Sequence, residues 1–352
     1  MIVDFPSIKD QIKDEALSLG FSDCRITSAA PPEEIHKEAF GIWLDQGMHG
    51  EMKWIEKGAE KRLMPQKILP EAKSAIVLAL NYSNETGYPK GKNVTASNAA
   101  VIARYAQASD YHDFIGDRLK SLSQFVDQLT GVESRSLWYV DTGPILERCF
   151  AQRAGIGFAG KHTNLISRNF GNWFFIAEIL TQAEMHPDEA EKNRCGKCEA
   201  CLNACPTGAL PKPFVLDSRK CISYLTIEHK GSIPLDLRRK IGQRVFGCDD
   251  CLSVCPWNKF AKQASELQKF SREDFKNSTL SEWLSLSDQA FRKKTRGTPL
   301  FRTKRSRFLR NVCVAMGNSG DKSHIPDLMK AKMDEDSLIS EHAAWAIDQL
   351  EK

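Results

Sequence analysis

The sequence has no apolar run that is long enough to cross a lipid bilayer. Its longest strongly apolar stretches, Ser74–Leu80 and Trp173–Leu180, are far shorter than the ~20 residues that a transmembrane helix needs. The N-terminus also lacks the basic start and apolar core of a signal peptide, because it is polar and becomes acidic at Asp4. We therefore expect a soluble protein of the cytoplasm that does not bind a membrane.

Acidic residues are missing from one long segment, Gln289–Gly320, although the formal net charge of the whole chain is only +4. Such a block of uncompensated positive charge is typical of surfaces that bind a phosphate polyanion. A solvated helix face is the alternative, and the charge pattern alone leaves both interpretations open. The cationic residues of this basic segment are Arg292, Lys293, Lys294, Arg296, Arg302, Lys304, Arg305, Arg307 and Arg310.

Disulfides are not expected in a cytoplasmic protein, so the eleven cysteines indicate metal or redox chemistry. Eight of them fall between Cys195 and Cys255. The first four follow the spacing CxxCxxCxxxCP of bacterial ferredoxins, which bind two [4Fe–4S] clusters. Zinc sites also use CxxC units, but they do not explain three ligands at spacings of three. The sequence therefore predicts two iron–sulfur clusters.

The second cysteine run is incomplete, because Val245 occupies the position of its first cysteine. Cys221 lies apart from both runs and can supply the missing ligand. In two-cluster ferredoxins the last cysteine of each run binds the other cluster. This rule assigns one cluster to Cys195, Cys198, Cys201 and Cys255, and the other to Cys205, Cys221, Cys248 and Cys251. The remaining cysteines are expected to be small buried side chains: Cys24, Cys149 and Cys313.

Apolar periodicity predicts alternating helices and strands in the first 185 residues, and therefore an α/β domain whose sheet is covered by helices. The predicted helices are Ile8–Leu19, Tyr111–Leu129 and Pro144–Ala154, and the predicted strands are Ser22–Thr27, Ser74–Leu80, Ser136–Val140 and Trp173–Leu180. Near the C-terminus, three further helices resemble one unit of a helical repeat: Phe308–Met316, Ile325–Lys332 and Ile339–Leu350.

A polar stretch at Gln182–Asn193 separates the α/β part from the cysteine-rich region. We therefore predict three domains. Residues 1–185 form the α/β domain, residues 186–262 form a ferredoxin-like two-cluster domain, and residues 263–352 form a basic linker and a helical region.

Two motifs in the middle of the chain have more than one interpretation. Gly155–Gly160 matches the GxGxxG dinucleotide fingerprint, but a predicted helix rather than a strand precedes it. A glycine-rich loop that lets a flat or anionic ligand approach the backbone is the better interpretation. Asp141 follows a predicted strand. On the sequence alone we favour Asp141 or Thr142 as the cap of the helix that begins at Pro144, with a catalytic role for the Asp141 carboxylate as the alternative.

These motifs together resemble the epoxyqueuosine reductases, cobalamin-dependent enzymes of the last step of queuosine synthesis in tRNA. The resemblance implies a nitroreductase-like cobalamin domain at 1–185 and a HEAT-like tRNA-binding region at the C-terminus. It also implies that cobalamin, reduced by the two clusters, removes the epoxide oxygen of epoxyqueuosine, with electrons from an external low-potential donor. The resemblance covers essentially the whole chain, including His49–Trp54, Ala103–His112, Val140–Pro144, Arg153–Lys161, Asn172–Thr181, Cys221–Gly231 and Cys248–Phe260.

By the same resemblance, Asp141 matches the proton donor of the family. A dry pocket must then raise its pKa if it is to be protonated near neutral pH. His162 departs from the asparagine expected after Gly160 and Lys161. The residues that are implied to contact cobalamin are Arg62, Lys161, Asn164, Leu165, Ser167, Ser223 and Asp249.

Three other functions remain as alternatives. Reductive dehalogenases share a cobalamin module and two clusters, but they are usually exported behind a twin-arginine signal, of which we see none. A plain two-cluster electron carrier would need neither the α/β domain nor the basic segment. A tRNA-binding protein with purely structural clusters would bind no cobalamin.

Two [4Fe–4S] clusters predict about eight iron and eight sulfide per chain in protein that is reconstituted without oxygen. Chemical analysis of iron and acid-labile sulfide measures both quantities. A pair of zinc sites would instead give two zinc ions, no sulfide and no iron, and that result would contradict the cluster prediction.

Overall fold

The computed structural model describes residues 7–83, 98–131, 136–264, 266, 270–276 and 278–352. None of the helices in these ranges is both long and apolar enough to cross a lipid bilayer. The strands are β1 (Asp23–Ser28), β2 (Ser74–Asn81), β3 (Val101–Ile102), β4 (Leu137–Tyr139), β5 (Phe158–Ala159), β6 (Leu165–Ile166), β7 (Phe174–Thr181) and β8 (Arg244–Phe246).

Helices account for most of the remaining regular structure. In the N-terminal half they are α1 (Ile8–Ser18), α2 (Glu34–Asp45), α3 (Lys53–Lys57), α4 (Ala59–Leu63), α5 (Tyr111–Thr130) and α6 (Glu147–Ala154). In the cysteine-rich region they are α7 (Ala200–Ala204), α8 (Ile222–Ile227), α9 (Leu235–Ile241) and α10 (Asp250–Ser253). Towards the C-terminus they are α11 (Glu273–Lys276), α12 (Leu280–Leu284), α13 (Asp288–Thr295), α14 (Lys304–Ser319), α15 (Ile325–Ala331) and α16 (Ser337–Glu351).

The main sheet is antiparallel, with the strand order β1-β2-β7-β4. Every residue of β2 is buried, as the apolar run predicted. Ile76 and Leu78 pack on the face that α1 and α5 cover, while Val77 and Ala79 pack on the face that α6 covers. Side chains alternate along a strand, so a strand that is apolar throughout needs a cover on both faces. The predicted sheet between helices is therefore present.

The helix predicted from Pro144 begins later, at Glu147, and its N-cap residue is Leu146. Asp141 and Thr142 lie in the loop before this cap, so the prediction that one of them caps the helix is wrong. The predicted end of the helix is correct, because the next residue after Ala154 is a glycine in the left-handed conformation. This late start frees Asp141 for another role.

The C-terminal region is helical, as predicted, and it shares a core with the cysteine-rich region. α14 packs along α16, and α15 packs on α16. Phe308 and Val312 of α14 lie in one apolar cluster with Ala343 of α16 and with Val245 and Phe246 of β8. β8 also pairs in parallel with β3 of the N-terminal part. The three parts of the chain are thus packed together, and the domain limits at 185 and 262 stay predictions.

Arg310 ties α14 to the cysteine-rich region from inside the protein. Its guanidinium is fully buried and donates hydrogen bonds to the carbonyl oxygens of Leu225 (2.7 Å), His229 (3.0 Å) and Gly231 (2.6 Å). Burial, and then the positive charge of Arg307, lower the pKa of Arg310 to about 9. Arg310 is therefore a structural residue, and its inclusion in a surface for a polyanion was wrong.

Replacing Arg310 by methionine should destabilise the fold, because three carbonyl groups, among them the buried one of Leu225, lose their donor. We expect the free energy of unfolding to fall by about 2–4 kcal/mol. Arg296 belongs to the same basic segment but is exposed, and Arg296→Met should change the free energy of unfolding by less than about 0.5 kcal/mol. Urea denaturation followed by tryptophan fluorescence measures both variants. Equal stability of the two would contradict the structural role of Arg310.

Candidate active site and cluster-binding cysteines

The loop between β4 and α6 carries Asp141 and is fixed by two contacts. Nη1 of Arg62 donates hydrogen bonds to the carbonyl oxygens of Gly143 at 3.1 Å and Ile145 at 2.9 Å. The ring of Tyr139 lies against Gly143, where an added Cβ would come within 2.5 Å of the ring. Asp141 itself has a φ of 57°, a left-handed conformation that aspartate and asparagine adopt more readily than most residues. The loop therefore presents the Asp141 side chain at a defined place.

Two residues at the start of α5 contact the Asp141 carboxylate. The hydroxyl of Tyr111 donates a hydrogen bond to Oδ2 at 2.7 Å, and Nε2 of His112 lies 3.7 Å from the same oxygen. The other ring nitrogen of His112 lies 2.7 Å from Oδ1 of Asp110. The ring of Tyr111 stacks on His112 and on Phe175, with centroids 4.1 and 4.4 Å apart. Helix α5 thus brings two proton-bearing groups to Asp141.

Asp141 is ionised in this arrangement, contrary to the prediction of a raised pKa. Desolvation favours the neutral acid, but the contacts with His112 and Tyr111 outweigh it and lower the pKa of Asp141. Its side chain is 53% exposed rather than enclosed in a dry pocket. Burial disfavours a charged His112, but its contacts with Asp110 and Asp141 prevail and raise the pKa of His112 to about 9. At neutral pH an ionised Asp141 therefore lies beside a protonated His112.

Asp141 lies at a cleft of about 780 Å³ with a largely apolar wall. Much of this wall comes from α2, an amphipathic helix in which no residue is buried. Ile42 of α2 and Trp54 of α3 are 56% and 50% exposed, and both line the cleft together with Trp43 and Phe214. An apolar wall of this size that the protein leaves open indicates a large ligand with apolar faces.

A second cavity of about 160 Å³ shares Asp141, Glu147 and Arg148 with the cleft. Burial, and then the negative charge of Asp141, raise the pKa of Glu147 to about 8. Glu178 of β7 is fully buried, and neither of its carboxylate oxygens has a hydrogen-bond partner among the described residues. Burial raises the pKa of Glu178 well above its usual range as well. Two buried acids that are protonated at neutral pH therefore lie close to the ionised Asp141.

Three of the predicted cobalamin-binding residues line these two cavities. Arg62 lines the large cleft, and Asn164 and Leu165 line the second cavity. The other four lie outside the described lining of both: Lys161, Ser167, Ser223 and Asp249. Nζ of Lys161 lies 3.7 Å from a carboxylate oxygen of Glu199, and Asp249 accepts a hydrogen bond from the backbone N–H of Arg104. Their contact with cobalamin stays a prediction.

Four cysteines surround a third cavity, and they are the four that the crossing rule assigns to one cluster: Cys195, Cys198, Cys201 and Cys255. The backbone N–H of Lys161 points at this set and lies 3.4 Å from Sγ of Cys195. Four cysteines around one cavity, one of them from the second run, suit a cubane cluster with crossed ligands.

The other four cysteines also lie close together. Burial, followed by the charges of Cys248, Cys221 and Cys205 among its neighbours, raises the pKa of the Cys251 thiol. The backbone N–H of Ala209 lies 3.3 Å from Sγ of Cys205. This arrangement fits the predicted ligand set, in which Cys221 replaces the cysteine that the second run lacks.

The three remaining cysteines lie elsewhere. Cys24 and Cys313 are buried, as expected, whereas Cys149 is half-buried and lines the large cleft. Burial raises the pKa of Cys24 to about 12 and that of Cys149 to about 11, and it also raises the pKa of Cys313. All three are therefore neutral thiols near neutral pH.

Comparison with known proteins identifies the family to which this architecture belongs. Residues 194–258 match the family model described as 4Fe-4S double cluster binding domain, and residues 62–142 match the one described as Epoxyqueuosine reductase QueG, DUF1730. The chain is 37% identical to the epoxyqueuosine reductase of Vibrio cholerae, over 99% of this chain and 93% of the relative. The chain belongs to the epoxyqueuosine reductase family.

Solved structures of epoxyqueuosine reductases have the same fold. One contains a tRNA-Tyr stem loop modified with epoxyqueuosine; its TM-score is 0.88 at 31% identity, over 98% of this chain and 90% of that chain. Another, from Bacillus subtilis, has its aspartate-bearing catalytic loop swung out of the active site; its TM-score is 0.86 at 30% identity, over 97% of this chain and 90% of that chain. The predicted mixed α/β fold and two [4Fe–4S] clusters are thereby confirmed.

Four ionisable residues at the site of this protein were not predicted from the sequence: Tyr111, His112, Glu147 and Glu178. Glu178 gave a signal, because it is an acid inside an otherwise apolar buried strand. Tyr111 and His112 lie at the start of a predicted helix and in a segment that supports the resemblance, but the sequence pattern indicated no chemical role for them. Glu147 gave none, since acidic residues are common in the first turn of a helix.

Replacing Cys221 by serine should remove one cluster and leave the other. Cys221 belongs to the predicted set with Cys205, Cys248 and Cys251, and serine is a poor ligand for iron in a cubane. We expect the iron content to fall to about half, from eight to four per chain, and one of two EPR signals to disappear.

Cys149→Ser is the matched control for this experiment, because Cys149 is a half-buried cysteine outside both sets. It should keep the full iron content and both EPR signals. Full iron content in the Cys221→Ser protein would show that Cys221 is not a ligand.

Proposed function

We propose that this protein reduces epoxyqueuosine to queuosine in the anticodon of tRNA, in the cytoplasm. The reaction converts an epoxide into an alkene and water, and it consumes two electrons and two protons. Two [4Fe–4S] clusters held by the two sets of cysteines would supply the electrons, and an external low-potential donor would reduce the clusters again. One observation carries the proposal: in a member of this family, Asp141 and its proton-bearing neighbours lie at the mouth of a large apolar cleft, in the same chain as two sets of cluster-binding cysteines.

The large cleft is the proposed site of cobalamin, and its residues fit such a group. The exposed face of α2 and the indole of Trp54 offer a wide apolar surface to a flat macrocycle. Nε of Arg62 is buried and has no hydrogen-bond partner within the part of the chain that the structure describes, so it can donate to an amide carbonyl at the edge of the cofactor. Cobalamin supplies a two-electron centre, which single-electron clusters cannot provide.

Asp141 is the proposed proton donor to the oxygen that leaves the epoxide. The carboxylate is ionised in the free protein, so it must first be protonated. Protonated His112, 3.7 Å away, can supply that proton and remains charged up to a pH of about 9. When the cofactor and the modified nucleotide cover the exposed side of Asp141, loss of water raises the pKa of the carboxyl group and favours the transfer.

Asp141→Asn should strongly reduce turnover without disturbing the site. Asparagine has the same shape and also accepts a positive φ, but it has no proton that it can transfer. Iron content and tRNA affinity should stay at the wild-type level, while formation of queuosine falls by roughly a hundredfold or more. Mass spectrometry of nucleosides from digested tRNA measures the product.

Asp113→Asn is the matched control, because Asp113 is an exposed carboxylate on the same helix as His112. Its queuosine formation should equal that of the wild type. If Asp141→Asn is as active as this control, Asp141 is not the proton donor.

The basic segment is the proposed binding surface for tRNA, but only part of it is available. Three of its residues pair with acids: Arg292 with Asp288, Arg302 with Glu228 and Arg305 with Asp334. Arg307 donates to backbone carbonyl oxygens, and Lys294 lies over the ring of Trp283. The residues of this segment that are exposed and have no acidic partner among the described residues are Lys293, Arg296 and Lys304.

Charge reversal at Lys293, Arg296 and Lys304 should lower the affinity for tRNA. It should also make that affinity less dependent on the salt concentration. Each lost phosphate contact should reduce the slope of log affinity against log salt concentration by about one. Fluorescence anisotropy with a labelled anticodon stem loop, measured at several salt concentrations, gives this slope.

A second triple variant controls for net charge alone: Lys120→Glu, Lys192→Glu and Lys322→Glu, at three exposed positions outside the basic segment. Its salt slope should remain close to that of the wild type. Equal slopes in the two triple variants would show that the basic segment is merely a solvated face.

A further inference from the structure

His162 lies in the cavity that the first set of cysteines surrounds. Its side chain is only 2% exposed and lines this cavity together with Cys195, Cys198, Cys201 and Cys255. It follows Lys161, whose backbone N–H already lies 3.4 Å from a sulfur of the set. A polar ring in this position belongs to the immediate surroundings of the cluster.

The hydrogen bonds of the protein determine which ring nitrogen of His162 carries the proton. Nδ1 accepts a hydrogen bond from the backbone N–H of Asn164 at 3.2 Å, so Nδ1 is unprotonated. The neutral ring must then carry its proton on Nε2. This Nε2–H is buried and makes no hydrogen bond of normal geometry with any described residue, although the side-chain amide of Asn172 lies near enough to oppose, in part, the lowering of the ring's pKa by burial. A buried donor without a partner is rare in native proteins and indicates a partner that the polypeptide itself does not supply.

The position of the ring is built into the loop that precedes it. A Cβ at Gly160 would come within 2.6 Å of Cε1 and 2.8 Å of Nε2 of His162. Glycine at 160 therefore leaves the room that the ring occupies. The buried amide of Asn172 is the only competing acceptor that we find among the described neighbours; its Oδ1 is unpartnered, while its Nδ2 donates to Asn258.

We propose that Nε2–H of His162 donates a hydrogen bond to a sulfur of the cluster held by Cys195, Cys198, Cys201 and Cys255, and that it thereby raises the reduction potential of that cluster. Reduction adds negative charge to the cluster, and a donor aimed at a sulfur stabilises the added charge. His162 is thus a residue that adjusts electron transfer without touching the substrate. The proposal rests on the proposed ligand set but not on the reaction with tRNA.

Two variants at this position separate the hydrogen bond from the bulk of the ring. His162→Gln keeps a donor at about the distance of Nε2, whereas His162→Asn is too short to reach the cluster but can still accept from Asn164. EPR-monitored redox titration without tRNA measures the potentials of both clusters. His162→Asn should make one potential more negative, by about 59 mV if the reduction equilibrium changes tenfold. His162→Gln should restore that potential, and the other cluster should not change.

His324→Asn is the matched control. His324 is also a buried histidine whose Nε2 has no hydrogen-bond partner in the described ranges, but it lies between α14 and α15. Both potentials should equal those of the wild type in this variant. The Cys221→Ser protein should contain only the first cluster, which is the one held by Cys195, Cys198, Cys201 and Cys255. Repeating the titrations in this protein therefore shows whether the shift belongs to that cluster.

A second measurement needs no substitution at His162. Pulsed EPR of the reduced wild-type protein, labelled with ¹⁵N in histidine only, should show coupling of a histidine nitrogen to the first cluster. Absence of this coupling would overturn the proposal, as would unchanged potentials in both variants or the same shift in His162→Gln and His162→Asn. If His162→Asn assembles no cluster, the labelled wild-type protein still decides the question.

Discussion

The hydrogen bonds from Arg62 to the carbonyl oxygens of Gly143 and Ile145 determine the geometry of the active site. Proline suits the first turn of a helix, so a helix that begins at Pro144 would be the local preference of the chain. A buried guanidinium from α4 binds the carbonyl groups on both sides of this proline and holds the segment outside the helix. The helix therefore starts at Glu147, and Asp141 remains in a loop between the cleft and the second cavity.

Charge is distributed unevenly among the acids around this loop. Asp141 is exposed and contacts two proton donors, so it is ionised. Burial disfavours the charged forms of Glu147 and Glu178, and the negative charge of Asp141 adds to this effect, so both stay protonated. The free protein thus holds its protons on His112 and on the buried glutamates rather than on Asp141. Covering Asp141 with ligands changes this balance, and proton transfer is thereby linked to the presence of the substrate.

Local sequence patterns predicted those parts of the structure that depend mainly on residues close together in the chain. The ferredoxin spacing indicated the clusters, and the apolar runs indicated β2 and β7, because cluster geometry and strand burial depend on neighbours in the chain. The start of α6 and the pKa of Asp141 could not be predicted, since both depend on contacts with distant residues such as Arg62 and His112. The prediction that all nine cationic residues of the basic segment face a polyanion was wrong for the same reason, because Arg305 pairs with Asp334 and Arg310 is buried.

The route of electrons from the clusters through cobalamin to the epoxide is the central claim, and a single-turnover experiment tests it most directly. Protein is prepared without cobalamin, its clusters are reduced, and the excess reductant is removed before tRNA that carries epoxyqueuosine is added. With one equivalent of cobalamin we expect one queuosine for every two electrons stored in the clusters, and without cobalamin we expect none. The same yield of queuosine in the absence of cobalamin would contradict the account.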